Sequence, residues 1–258
     1  MLNFRPPIRA TKTLRPIFPT QKQAANLAGI YIGVLSVWSV DYLTSIYSRT
    51  RAEMVHDSVG ELEIAIEQMA SNAVNAILNF RFLFDNWLAG IVRWHAQKFA
   101  ANLKYATNVE LSSVIGPAPA DTLQATIARN VALVRNVSDK ARQDISEIIY
   151  RGLSQRTPVE QVAREIREAL GMGRARSRRI ASDQLSKISA ALDTSRANDL
   201  GLTSWEWKHS GKIHFRPWHK ARDGNVYEDG NLPADVVNDQ PGFAPFCGCK
   251  KRYRINGQ

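Results

Sequence analysis

His219, Cys247 and Cys249 are the residues of this sequence best suited to chemistry. Neutral imidazole and thiolate are the preferred donors for zinc, and a structural zinc site closes tetrahedrally with four such ligands. Cys247-Gly248-Cys249 supplies two donors and His219 a third, so a fourth would come from His214, His209 or Asp223. Zinc is therefore the one candidate cofactor. A disulfide inside a C-x-C is strained, and two cysteines without a secretory leader fit a reducing compartment. The commoner fate of such residues is simple packing, two small apolar side chains and an imidazole in a loop core. His219 with Cys247 or Cys249 could also form a base and thiol nucleophile, or with Asp223 a metal-dependent nuclease. No orienting Asn/Asp pattern or carboxylate cluster accompanies them, so no catalytic residue is assigned and an enzyme is not expected.

These residues sit in a stretch from Trp205 to Tyr253 that must position them. Trp205 and Trp207 alternate with Glu206 and Lys208, Ser210-Gly211 offers a turn, and Ile213 and Phe215 alternate again. This pattern predicts a hairpin that Pro217 ends. Asp223-Gly224 and Asp229-Gly230 add turns around Val226-Tyr227, so the module is β-rich and loop-rich, with Trp205, Trp207 and Trp218 as its expected core.

Upstream, the sequence reads as helix. Its 258 residues, 44% hydrophobic, suffice for a real core. Residues 1–22 carry Arg5, Arg9, Lys12, Arg15 and Lys22 with no acidic residue, and their prolines forbid helix, which predicts an extended basic arm docked on a partner. Residues 23–40 lack formal charge; a buried bundle helix is the expectation, and a membrane span the minor alternative. Apolar residues at three- and four-residue spacing then carry helix to about Leu111, making 23–115 a long-helix region with His56 and His95 as surface or core residues, not sites. Gly116-Pro117-Ala118-Pro119 marks a boundary.

Residues 120–200 read as short helices. Asp121 and Ser138 are their caps, Thr157-Pro158-Val159-Glu160 is a capping box with proline at the first turn, and Gly171 is a stop. A further helix opens on Arg174, Arg176, Arg178 and Arg179. Four cations there oppose the macrodipole, so an acidic partner is expected to compensate them. Residues 201–258 are the β-rich module, closing on Lys250, Lys251 and Arg252. The fold class is α+β, with mainly helical N-terminal and middle regions before the small module. A net charge of +10 and a pI near 9.8 point to a polyanionic neighbour, first of all nucleic acid. Arg5, Arg9, Lys12, Arg15, Arg174, Arg176, Arg178, Arg179, Lys250, Lys251 and Arg252 are the candidate contacts.

The ordered set Arg178-Arg179-Ile180-Ala181, Trp205, Arg216-Pro217-x-His219, Asp223-Gly224-x-Val226-Tyr227, Pro241-Gly242 and Cys247-x-Cys249 resembles the phage Mu F-like minor head proteins, the head morphogenesis family of tailed phages. The resemblance covers about Asp121 to Tyr253. It implies a minor capsid protein incorporated at or near the portal during procapsid assembly and lying close to packaged double-stranded DNA. Implied partners are the portal protein, the major capsid or scaffolding protein, and DNA without sequence preference. Implied locations are the virion head near the portal, and the host cytoplasm during assembly. A membrane-active ejection protein using residues 23–47, and a hydrolase built on His219 with Cys247 or Cys249, are the alternatives.

Overall fold

The computed structural model describes residues 12–53, 56–108 and 118–255. In chain order these form β1 (Lys12–Thr13), α1 (Gln21–Leu35), α2 (Val40–Glu53), α3 (His56–Thr107), α4 (Ala120–Gln155), α5 (Val159–Asp199), β2 (Ser204–Lys208), α6 (Pro217–Ala221), β3 (Val226–Glu228), α7 (Ala234–Val237) and β4 (Lys250–Ile255). The fold is α+β. Arg5, Arg9, Leu111 and Gly116-Pro117 lie outside the described residues. The chain divides into two compact units: Thr20–Leu88 with Gln124–Gln184, and Met1–Pro19 with Ala89–Leu123 and Leu185–Gln258.

The first of these units is helical. Thr20 caps α1, its hydroxyl accepting from the Gln23 N–H while the Gln23 side chain accepts from the Thr20 N–H. The charge-free stretch 23–40 is interrupted after Leu35, where Ser36 donates to the Gly33 carbonyl. By length and composition alone, Gln21–Ala52 is long and apolar enough to cross a membrane. Leu35, Trp38, Leu43 and Tyr47 instead pack with Ile66, Ile145, Ile149 and Ile166 in one apolar core. Tyr31 donates to the buried Asn130 side chain at 2.6 Å, and Tyr47 donates to the Thr157 carbonyl at 2.8 Å, pinning the bend before α5.

That bend falls where Thr157-Pro158 announces it, but the other expected breaks are absent. Residues 120–200 are two long helices, not several short ones: α4 runs through Ser138, which is buried, and α5 runs through Gly171. An interior glycine costs about 1 kcal/mol against alanine, a small penalty beside burial of Val162, Ile166 and Leu170 along one face. At Gly173 a Cβ would come within 3.2 Å of the Leu35 side chain, which would have to give by a few tenths of an ångström to admit it. Arg174, Arg176, Arg178 and Arg179 are thus mid-helix, and the conflict with a helix dipole expected of them does not arise.

The second unit is organised by an antiparallel sheet ordered β1-β4-β2-β3. The hairpin expected between 205–208 and 212–215 does not form. β2 pairs instead with β3, Trp205 opposite Tyr227, and with β4, Trp205 opposite Tyr253, while Ile213 stands 89% exposed. Larger aromatic partners win: the Trp205 and Tyr227 rings lie 4.9 Å apart, and both β2 tryptophans are fully buried with Phe99, Leu103 and Val236. Pro217 opens α6 instead of ending a strand. One turn of α6 points His219 inward and leaves its neighbour Trp218 52% exposed, so Trp218 is not a core residue.

The N-terminal segment, expected to dock on a partner, packs in its described part within the chain. Leu14 and Ile17 are buried, the Leu14 N–H donates to the Tyr253 carbonyl at 2.8 Å, and Ser189 and Asn102 donate to the Ile17 and Arg15 carbonyls. From Lys12 onward it docks on its own chain. The two tryptophans give a paired test by urea unfolding followed by circular dichroism. Trp207→Ala should cost about 3–5 kcal/mol through its cavity, whereas Trp218→Ala should cost about 1–2 kcal/mol, the loss of one hydrogen bond to a charged group.

Candidate functional site: a histidine and two cysteines beneath the sheet

α6 is short, but it fixes His219, which is 2% exposed. The His219 Nε2 lies 3.0 Å from both oxygens of Asp239. On the other side of the ring, Nδ1 lies 3.4 Å from Cys247 Sγ and 3.7 Å from Cys249 Sγ. All three donor atoms fall within 4.8 Å of one another, and all three residues are buried.

Asp239 is the organiser that the sequence hid. Besides His219 it accepts from Trp218 Nε1 at 3.0 Å and from Arg222 Nη1 at 2.9 Å, and Arg222 reaches on to the Asp235 carboxylate at 2.8 Å. Burial pushes the Asp239 carboxyl up, but the hydrogen bonds from Arg222, His219 and Trp218 outweigh it and hold the carboxyl below its ordinary value. No spacing rule links position 239 to 219. The sole signal was an acidic residue two positions before Pro241-Gly242.

The two thiols differ. Cys247 is drawn below the usual thiol value by its hydrogen bond with Cys249, against burial, with help from the backbone N–H groups of Gly242 and Cys249 and from nearby His219. Cys249 is pushed up by the same hydrogen bond and by burial, although the Ser210 N–H opposes this. The pair therefore gives up its first proton early and its second late. Gly248 lets the loop close: a Cβ there would meet Lys212 and Ser210 atoms at 2.9 Å. Lys212 and Arg216 donate to the Phe246 and Pro245 carbonyls, tying down the approach to Cys247.

The three suggested fourth donors separate clearly. Asp223 accepts from the His209 N–H at 2.8 Å and faces Lys208 at 3.5 Å, so it clasps a loop. His214 is exposed, and His209 has a buried Nε2 without a hydrogen-bond partner among the described residues. His209 and His214 line one cavity with His219, Cys247 and Cys249.

The basic candidates also divide. Lys250 is 1% exposed, donates to the Ser186 carbonyl and faces Asp193 at 3.7 Å; burial pulls its pKa down to about 8. Asp193 in turn lies 3.0 Å from the fully buried His95, whose other nitrogen meets Arg196, a charge network that sequence reasoning did not find. Lys251 pairs with Asp229 and covers Trp205, and Arg252 pairs with Glu206. The third basic cluster is thus turned inward and is not a free cationic surface. Arg174, Arg176, Arg178 and Arg179 are exposed, Arg176 bonding to Asn136. Lys12 and Arg15 are exposed too, the latter over the Tyr105 ring.

Residues 143–252 match the model of the family described as Phage Mu protein F like protein. This segment is similar to the phage Mu F-like proteins. It contains His219, Asp239 and both cysteines and ends inside β4. The chain is also 27% identical over 157 residues to an uncharacterized protein of Haemophilus influenzae, a match covering 60% of this chain and 34% of that protein. The chain thus spans about a third of that relative's length. No solved structure matches it.

Replacing Asp239 by Asn keeps the shape and removes the charge. At neutral pH this variant should lose about 1–3 kcal/mol, read from urea midpoints. The sign follows from the lowered carboxyl: its stabilisation is full above the ordinary carboxylate value and is lost as pH falls through the folded value. The gap between wild type and variant should therefore close in acid.

Proposed function

We propose that this chain is a minor capsid protein of a tailed phage, incorporated at or near the portal during procapsid assembly and lying close to packaged DNA. The observation that carries the proposal is the Mu F-like match over residues 143–252. Its partners on this reading are the portal protein, the major capsid or scaffolding protein, and double-stranded DNA bound through phosphates. Its place is the head of the virion near the portal, reached from the host cytoplasm during assembly.

Two surface features support an assembly role. On α3, Val74, Leu78 and Phe82 recur every four residues on one face and are 59%, 67% and 65% exposed. Large apolar residues aligned in water mark a surface that another protein covers. On α5, the exposed arginines have no carboxylate partner among the described residues, which suits an anionic surface. Contacts to phosphate position a protein on the duplex without reading its sequence, so no base preference is expected of them.

Changing Arg174, Arg176, Arg178 and Arg179 together to Ser should weaken binding to every duplex sequence alike. The slope of log affinity against log salt should fall by up to about 3.6, at roughly 0.9 for each phosphate no longer neutralised. If DNA affinity is unchanged and incorporation into heads is abolished, the arginines meet an acidic protein surface and the DNA half of the proposal fails. Phe82→Glu should leave circular dichroism unchanged and prevent incorporation into procapsids, measured by mass spectrometry of purified heads. Normal incorporation would remove the α3 face from the assembly interface.

A further inference from the structure

We propose that His219, Cys247 and Cys249 bind a zinc ion, with the fourth coordination position opening onto the cavity lined by His209 and His214. The first argument is metric. With Zn–S of about 2.3 Å and Zn–N of about 2.0–2.1 Å, a tetrahedron places a sulfur and a nitrogen about 3.5–3.6 Å apart. The observed separations of 3.4 and 3.7 Å from Nδ1 to the two sulfurs bracket that edge. Two edges of one face of a zinc tetrahedron therefore already have their length, and all three donor atoms lie within 4.8 Å of one another.

The second argument is the tautomer. Asp239 faces Nε2, so Nε2 carries the proton and Nδ1 presents its lone pair to the sulfurs. A carboxylate behind a histidine, itself fixed by Arg222 and Trp218, is the arrangement that orients a zinc-binding imidazole. Hydrogen bonding alone explains the cluster less well. One lone pair at Nδ1 serves one thiol, yet two sulfurs converge on it.

The third argument is the surroundings of the sulfurs. Both sulfurs are buried and, with His219, line the same cavity as His209, Ser210 and Lys212. Thiolate is the form that binds metal, and binding would release the thiol protons. Two thiolates would neutralise the ion, so its burial leaves no net charge. Asp223 is committed to His209 N–H and Lys208 and is not a ligand. The fourth position is left to water or to a side chain that enters the cavity.

The full-length chain, purified under reducing conditions without chelator, should contain one zinc per chain by atomic emission. Cobalt(II) added to metal-free protein should give thiolate-to-metal charge-transfer absorption, diminished in Cys247→Ser and in Cys249→Ser. Zinc should protect both thiols of the wild-type chain from a disulfide reagent. Asp239→Asn, which touches no metal, should weaken zinc affinity about 10–100-fold against a chromophoric competitor. If the wild-type chain given excess zinc retains none after dialysis, shows no charge-transfer band with cobalt and has equally reactive thiols with and without zinc, the cluster is packing and the proposal is wrong. These measurements use the wild-type protein, so misfolding of a cysteine variant cannot decide them.

Discussion

The pairing of β4 with β2 is the constraint on which the second unit depends. β4 takes the inner position beside β2 and also accepts β1 on its other edge, so two strands share it as a template. Because β4 begins at Lys250, the register that sets Trp207 opposite Lys251 also fixes where Cys247 and Cys249 emerge from the sheet. The C-x-C is presented from a rigid element on one side, and His219 from a short helix on the other. The tryptophans of β2 fill the space between, Trp207 meeting the His219 ring edge-on at 5.0 Å.

The same pairing explains the charges of β4. Lys250, where the strand begins, points into the protein and is held by Asp193 and the Ser186 carbonyl, while Lys251 and Arg252 meet carboxylates of a neighbouring loop and strand. A buried lysine of this sort is costly unless paired, and a partner is present. Three basic clusters that look alike as strings of letters are therefore unlike as surfaces. Charge in a sequence reports composition, and only the register of the elements says which cations face water.

Much of the helical part was legible because its apolar spacing is regular, and Thr157-Pro158 carries a start signal with a local mechanism. Ser138 and Gly171 misled because capping and stop signals are weak local preferences, which a continuous buried face overrides. The hairpin misled for the opposite reason: alternation identifies a strand but not its partner, and β2 found aromatic partners 20 to 50 residues away in place of the adjacent segment. His219, Cys247 and Cys249 were legible because few residue types make such donors. Asp239, Arg222 and the His95–Asp193–Arg196 contacts were not, since nothing but the tertiary fold brings them together.

The strand that anchors Lys12 and Thr13 is synthesised roughly 240 residues after them. Until then Leu14 and Ile17 have no sheet to cover. Bringing such distant segments together is entropically slow, so this corner should be a late step in folding.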